Sequence, residues 1–328
     1  MKKILICFGT RPEWIKVKPL VDVLPNAKLL FTGQHLDLLS SISTDYSINI
    51  KENTNRLDQV LSDCMLGFPN EDFDYVVVHG DTVSALGCAL AAYSRGLKVV
   101  HLEAGLRSHD LKAPFPEEGY RQMISRIASI NLAPTALSAN NLISERVLGK
   151  VFIVGNSVLD NLVNIKEDCE YSNKVLVTLH RWENHQRMNE WFEAVEYIAT
   201  SNPELEFIIP LHPNPNVSKH RNIFKKVKVV DPLSHIELLN LLVKCRFAIS
   251  DSGGIQEEAS FFNKKVIVCR STTERPEGLE SGHLTLCSSP ELLLSSVKEI
   301  LNNYSIDVTC PYGDGHTAMR VKNILDNE

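Results

Sequence analysis

Short apolar runs rich in Val, Ile and Leu recur along the chain, separated by longer stretches whose apolar positions return at helical spacing. The first kind reads as strands and the second as amphipathic helices, and their alternation is the pattern of βαβ units. In the first half this predicts strands at 3–8, 29–32, 75–79, 99–102, 131–133 and 152–154. In the second half it predicts them at 175–178, 206–209, 228–230, 247–249, 265–269 and 284–287. Nearly continuous apolar strands imply parallel sheets covered on both faces. The polar stretch 164–174 (NIKEDCEYSNK) is the linker candidate and leaves two similar α/β halves, 1–163 and 175–312. Segment 313–328 carries helical spacing at Ala318, Val321, Ile324 and Leu325 and can pack on either half, the first included.

Composition narrows the class. At 328 residues the chain fits two domains of ~150 residues each. Apolar residues at 44% and charged residues at 23% sit near the globular average, which excludes a disordered chain and a membrane protein. The N-terminal MKKILICFGT has an apolar run too short for a signal-peptide core or a membrane span. Lys and Arg minus Asp and Glu is 34 − 40 = −6, against a general nucleic-acid surface, although local cations remain for a small phosphate. Cys7, Cys64, Cys88, Cys169, Cys245, Cys269, Cys287 and Cys310 are scattered without a C-x-x-C pair. That spacing disfavours a zinc framework and matches reduced core cysteines, so a cytoplasmic protein is expected.

In an open parallel sheet, ligands bind beyond the carboxyl ends of the strands. Here those ends carry Gly9-Thr10-Arg11-Pro12-Glu13, Gly33-Gln34-His35, His79-Gly80-Asp81-Thr82 and Glu103-Ala104-Gly105-Leu106-Arg107. The second half repeats the habit with His180-Arg181, His212 and Ser250-Asp251-Ser252-Gly253-Gly254, so both halves are expected to aim polar groups at one central cleft. Any one of these reads equally well as a turn, a cap or a satisfied histidine, but their coincidence points to a ligand site. Ser252-Gly253-Gly254 before a helix leaves backbone N–H groups for a diphosphate, and Glu258 lies one turn on, where a carboxylate can accept ribose hydroxyls. Arg11, Lys16 and Arg275 supply cations for the same diphosphate. A G-x-G-x-x-G after the first strand, a P-loop and an H-E-x-x-H are all missing, which disfavours a dinucleotide dehydrogenase, a P-loop NTPase and a metal site. Asp72-Phe73-Asp74 resembles a metal-binding D-x-D but precedes its strand, so it reads as turn and solvated surface.

These residues, with PFPEEGYR (114–121), VGNSVLDNL (154–162), LHRWEN (179–184), PLHPNP (210–215), STTERPE (271–277) and CPYGDGH (310–316), resemble the non-hydrolysing UDP-N-acetylglucosamine 2-epimerases over nearly the whole chain. The resemblance implies two Rossmann-like parallel-sheet domains in the GT-B architecture, the first on the sugar side and the second on the UDP side. It implies interconversion of UDP-GlcNAc and UDP-ManNAc by elimination of UDP to 2-acetamidoglucal and re-addition, with no metal or nicotinamide cofactor. Motif by motif, the catalytic groups fall on Asp81, Glu103, Glu117 and His180. Substrate-binding positions fall on Arg11, Lys16, Arg121, Asn156, Arg181, His212, Ser252, Gly253, Gly254, Glu258 and Arg275. Glu117 also reads as an acid favoured in a first helical turn, whereas Glu103, after an apolar strand, needs a partner such as Arg107 or Arg121. A homodimer is expected.

Several positions depart from the family's usual pattern. The chain is short between the second and third predicted strands, Trp182 replaces the second Arg of His-Arg-Arg-Glu-Asn, Tyr120 stands for an Asn and Ser129 for an Asp. Many bacterial members bind a second UDP-GlcNAc as an activator, at a site that would include Gln34 and His35. Leu36 stands where a basic residue is common, and Thr54-Asn55 where a Gly-Gln is common. Conversion of UDP-ManNAc without added activator is therefore expected. A 2-epimerase for a related UDP-sugar, such as a 2,3-diacetamido uronic acid or a 6-deoxy sugar, remains open from sequence, as do a GT-B glycosyltransferase and a non-enzymatic sugar-nucleotide sensor.

Overall fold

Every residue of Ile4–Phe8 and Tyr75–His79 is buried, as a central strand covered on both sides requires. The computed structural model describes residues 2–34, 42–50, 56–166, 169–306 and 308–328. They form two units, Met1–Asn161 with Gly313–Glu328, and Leu162–Tyr312.

The first unit runs β1 (Ile4–Phe8), α1 (Arg11–Val23), β2 (Lys28–Phe31), β3 (Tyr46–Ser47), α2 (Arg56–Leu66), β4 (Tyr75–His79), α3 (Val83–Ser94), β5 (Val99–Leu102), α4 (Glu117–Ile127), β6 (Ile130–Ala133), α5 (Ala136–Ser144) and β7 (Lys150–Ile153). Its parallel sheet has the order β3-β2-β1-β4-β5-β6-β7. Alternate residues serve opposite faces. Leu5 and Cys7 join Val76, Val78 and Val99 under α2, α3 and α4. Ile4, Ile6 and Phe8 join Val77, Val100 and Leu102 under Val17 and Leu20 of α1. The C-terminal helix Thr317–Asn327 seals that second face with Ala318, Val321 and Leu325. Its first N–H groups, on Thr317 and Ala318, donate to Asp160 at 3.0 and 2.7 Å.

The second unit continues with α6 (Val163–Lys166), β8 (Lys174–Thr178), α7 (Met188–Ser201), β9 (Glu206–Pro210), α8 (Pro215–Ser218), β10 (Lys228–Val230), α9 (His235–Lys244), β11 (Phe247–Ser250), α10 (Gly253–Phe261), β12 (Lys265–Val268), α11 (Glu277–Glu280), β13 (Leu284–Leu286) and α12 (Leu293–Asn302). Its sheet is also parallel, in the order β10-β9-β8-β11-β12-β13. Trp191, Phe192, Val195 and Ile198 of α7 pack with Leu293, Val297 and Ile300 of α12 on Val175, Val177, Phe207, Phe247 and Ile249. The described part of 164–174 lies within this unit, with Tyr171 edge-on against Tyr304.

Both are Rossmann-like sheets, and strand order reverses between β1 and β4 in one and between β8 and β11 in the other. Such switch points open a crevice at the strand ends. Two edge strands differ from expectation. β3 was not predicted, because two residues are too few to show a period, and β7 begins at Lys150 because no residue of this edge strand is buried. The Asp72-Phe73-Asp74 run precedes β4 with Phe73 buried and Asp74 accepting the Lys3 N–H at 2.7 Å. Among the described residues no helix is long and apolar enough to cross a membrane.

Candidate active site

At the first switch point, α1 starts with a capping box: Thr10 caps the N–H of Glu13 while the Glu13 carboxylate returns to the backbone. Glu13 is buried and accepts from the N–H groups of Gly9 and Thr10, both at 2.8 Å, and from the Thr82 hydroxyl at 2.5 Å. Because Thr82 caps α3, this one carboxylate ties together the starts of the helices that flank the switch. It aims Arg11, exposed at the first position of α1, and Lys16, one turn on, from the β1 end.

Asp81 and Glu103 follow β4 and β5, neighbouring strands in the sheet. Gly80 has φ +66°, and Glu103 itself has φ +63°, a left-handed conformation that a residue with a Cβ adopts at a cost of about 1–3 kcal/mol. Non-glycine residues in that region are enriched where geometry serves function. Arg121 pairs with Asp81 and, at 3.2 Å, with Glu118. Lys16 pairs with Glu103, whose Oε2 also accepts from Asn156 Nδ2 at 3.3 Å. The expected Glu103 partners, Arg107 and Arg121, are therefore corrected. The left-handed turn directs Glu103 to Lys16 on α1, while the chain beyond carries Arg107 to a bidentate pair with Glu145 of α5 at 2.6 and 2.8 Å.

Two histidines lie beneath this pair of acids, on opposite faces of the sheet: His79, named only as part of its strand-end run, and His101, which was not singled out. His79 is 5% exposed, and both its ring nitrogens are buried without a hydrogen bond. Its Nε2 is 3.5 Å from Glu103 Oε2. His101 is fully buried and donates from Nε2 to the Gly80 carbonyl at 2.8 Å, bracing the turn that carries Asp81. Burial pushes the His101 pKa down to about 3, which keeps the ring neutral. A polar residue inside an apolar strand was the available sequence signal. Neighbouring acids on α4 separate cleanly. Glu118 is wholly buried; burial opposes its ionisation, but the Ser108 N–H, the Gln122 amide and Arg121 outweigh it and hold the carboxyl below its usual range. Glu117, at the helix start, has Oε2 buried with no hydrogen bond. Gln34 accepts from the Ser84 hydroxyl at 2.7 Å, and His35 lies outside the described residues.

At the second switch point the organiser is Asp251, which the sequence placed in the strand-end run 250–254 without a role of its own. It is fully buried and accepts from the N–H groups of His180 at 3.0 Å and Arg181 at 2.9 Å and from Asn184 Nδ2 at 3.0 Å. The His180 ring consequently stacks on His212, with centroids 5.2 Å apart and planes 14° apart. Burial, then the neighbouring His180, pushes the His212 pKa down. Trp182, 74% exposed, stands outside this cluster.

Helix α10 opens at Ser252 with no side chain capping its N-terminus. A Cβ on Gly253 would come within 2.8 Å of Arg275 Nη1, so glycine is what lets the guanidinium lie against the helix start. Arg275 is held there by Glu257 at 2.6 Å and by Glu274. Burial disfavours the charge on Glu274, but Arg275 and Arg270 prevail and hold its carboxyl well below the usual range. Glu258, 4% exposed, bonds His235 Nε2 at 2.7 Å. Beside the helix start is a cavity of about 160 Å³ with Pro210, Pro232, Leu233, Leu238 and Ile255 among its walls. Thr178, His180, His212 and Ser252 also line it, and its volume is roughly that which accepts a single aromatic ring. Backbone N–H groups, a buried guanidinium, a carboxylate and an apolar slot thus occur together within one unit, a donor set matched to an anion joined to a polyol and a flat ring.

Comparison with known proteins gives one answer. The family model described as UDP-N-acetylglucosamine 2-epimerase matches residues 25–326. A Campylobacter jejuni protein named UDP-N-acetylglucosamine 2-epimerase is 37% identical over 376 residues, covering 99% of this chain and 97% of that protein. The protein of the same name from Escherichia coli K12 is 35% identical over 370 residues, covering 99% and 98%. A solved structure of UDP-GlcNAc 2-epimerase from Neisseria meningitidis bound to UDP-GlcNAc is similar with a TM-score of 0.88 at 32% identity, covering 99% of this chain and 100% of that one. The Methanocaldococcus jannaschii UDP-GlcNAc 2-epimerase in complex with UDP-GlcNAc and UDP has a TM-score of 0.82 at 30% identity, with 99% and 100% coverage. With its fold, its strand-end residues and full-length relatives in agreement, the chain belongs to the UDP-N-acetylglucosamine 2-epimerase family.

Proposed function

We propose that this protein is a non-hydrolysing UDP-N-acetylglucosamine 2-epimerase, interconverting UDP-GlcNAc and UDP-ManNAc by inverting C2. The observation that carries this reading is the pair of carboxylates at adjacent strand ends, Asp81 and Glu103, each on or beside left-handed backbone and each against a cation. C2 is not strongly acidic, so inversion proceeds by elimination. A carboxylate takes the C2 proton, the C1–O bond breaks with its electron pair leaving on the β-phosphate, and 2-acetamidoglucal forms. Re-addition of UDP at C1 with protonation of C2 from the other face completes the inversion. That route needs at least two proton-transferring groups and an anion site for the leaving diphosphate.

Asp81, Glu103, Glu117 and His180 are assigned to proton transfer. Lys16, Arg121 and Asn156, which contact Glu103 and Asp81, are assigned to substrate binding beside these acids. Arg11, Arg181, His212, Ser252, Gly253, Gly254 and Arg275 receive the diphosphate, and Glu258 the ribose. No step draws on a metal or a nicotinamide. A cytoplasmic location fits the eight free cysteines, and exposed apolar side chains on α2 and α3, Leu57, Leu66 and Tyr93, support a homodimer, which light scattering of the purified protein checks.

The deciding experiment incubates the protein with UDP-GlcNAc in deuterated water and follows C2 by NMR. The expected result is deuterium at C2 together with UDP-ManNAc. Unchanged substrate would redirect the assignment to a related UDP-sugar, and free ManNAc with UDP as the main products would indicate hydrolysis.

A further inference from the structure

The Glu258 carboxylate has one hydrogen-bond partner among the described residues, His235, and only its Oε1 is engaged. The neighbourhood gives that contact a purpose. Ile255, three residues before Glu258 on α10, lines the cavity, so the carboxylate stands on the helix face that borders it. Leu238, three residues after His235 on α9, lines the same cavity, so the imidazole stands on the corresponding face of the second helix. The Ser234 hydroxyl and the Glu237 carboxylate cap the start of α9 reciprocally, and this anchors His235 at its first turn. Glu258 Oε2, turned from the imidazole, is not among the buried polar atoms that lack a partner. It is the carboxylate oxygen that the His235 contact leaves to a ligand.

We propose that His235 is a positioning residue for ribose recognition: by holding Oε1 of Glu258 it presents Oε2 to the vicinal hydroxyls of the nucleoside, and so makes the site discriminate a ribonucleotide from its 2′-deoxy analogue. The inference rests on the assignment of Glu258 to ribose. A buried carboxylate with no donor would rotate among several orientations, and each ordered hydroxyl contact would have to overcome that freedom. With one oxygen fixed, the diol meets a pre-oriented acceptor. The bond to Glu258 also pushes the His235 pKa up, against the opposing effect of burial. Protonated or neutral with hydrogen on Nε2, the ring donates to the carboxylate, so the restraint holds over the neutral pH range.

The test measures calorimetric dissociation constants of UDP and 2′-deoxy-UDP for the full chain and three variants. The wild-type protein is expected to prefer UDP by about tenfold, as a hydroxyl bonded to a charged group gives. His235→Leu is expected to reduce that preference below about threefold, and His235→Gln, whose amide can donate from a similar place, to keep it. Unchanged discrimination in a folded His235→Leu protein overturns the proposal, and so does its loss in both His235 variants, which would make ring shape rather than the N–H the cause. Glu258→Ala separates the two levels: discrimination that survives this substitution removes Glu258 from ribose recognition altogether. Discrimination lost in Glu258→Ala but intact in His235→Leu leaves the ribose assignment standing and removes only the role given to His235.

Discussion

At the first switch point the carboxylates that follow the strands are met by long, cationic side chains, Asp81 by Arg121 and Glu103 by Lys16. At the second, the carboxylate that follows a strand is Asp251, wholly buried and met by backbone N–H groups and an amide. The difference is between carboxylates that can be released and one that is fixed. A side-chain ion pair at partly open groups can exchange its partner when an anionic substrate arrives, whereas a carboxylate bonded to backbone cannot move without moving the loop. Histidines follow the same division. His79 and His101 lie buried beneath the acids of the first unit, whereas His180 and His212 stack on each other beyond the strand ends of the second. Substitutions at the first point should therefore change turnover, and those at the second should change nucleotide affinity.

The sharpest way to break this contrast is to neutralise the acids one at a time. Asp81→Asn and Glu103→Gln are each expected to lower kcat by about a thousandfold or more, at the upper range for loss of a general acid or base, with UDP affinity within about threefold of wild type. Parallel loss of UDP binding and turnover would show that these acids shape the nucleotide site, and the division would fall.

The next effect belongs to His101. Its folded pKa of about 3 lies far below the unfolded value of about 6.5, so between those values the unfolded chain binds a proton that the native protein does not. Stability is thus fully present above the unfolded pKa and falls as pH drops. Between pH 6.5 and 5 the loss is about 2 kcal/mol, from 1.5 pH units at about 1.36 kcal/mol each. Urea unfolding at several pH values measures it, and His101→Leu should be less stable at pH 7.5 yet show a flatter acid dependence. An unchanged slope in that variant would remove His101 as its source.

In the second unit the corresponding probe is Gly253→Ala. The added methyl meets Arg275 Nη1, and that guanidinium, anchored by Glu257 and Glu274, has to shift from the start of α10. UDP binding is expected to weaken about tenfold, as for one charged hydrogen bond displaced, with kcat within about threefold. A fall in kcat at constant KM would place Gly253 in the chemistry instead.

Much of this was readable in advance because strand ends in parallel sheets announce their ligands: Asp81, Glu103, His180 and the Ser252-Gly253-Gly254 start all lie where the apolar runs stop. What could not be read depended on which elements become neighbours. Lys16 and Glu103 meet across 87 residues because β5 and α1 converge near one switch point, and no local spacing records that. Glu13, His101 and Asp251 owe their roles to complete burial, which makes a common cap, a strand histidine and a turn aspartate into organisers. The edge strands β3 and β7 escaped or shifted because a strand with an uncovered side lacks the continuous apolar run by which the central ones are found.

The smallest expected effect concerns regulation. Many family members take a second UDP-GlcNAc as activator, and the polar residue on which that site would begin, Gln34, is here engaged by the Ser84 hydroxyl and, through its carbonyl, by Arg56. Ser84 in turn contacts Thr32 at 2.6 Å, so the half-buried amide is tied to two buried hydroxyls. Recruiting Gln34 to an effector would leave a buried hydroxyl to find another partner, at a cost of about 1–3 kcal/mol. His35, Leu36, Thr54 and Asn55 lie outside the described residues. Starting from UDP-ManNAc alone, progress curves should show no lag, and added UDP-GlcNAc at low concentration should change the initial rate by less than about twofold, well under the fivefold or more of ordinary allosteric coupling. Since the activator would also be the product, obligate activation has a distinct signature, a lag that shortens as UDP-GlcNAc is added. Such a lag would mean that the Gln34 contact yields to the effector, and that the first unit binds nucleotide sugar as well as transforming it.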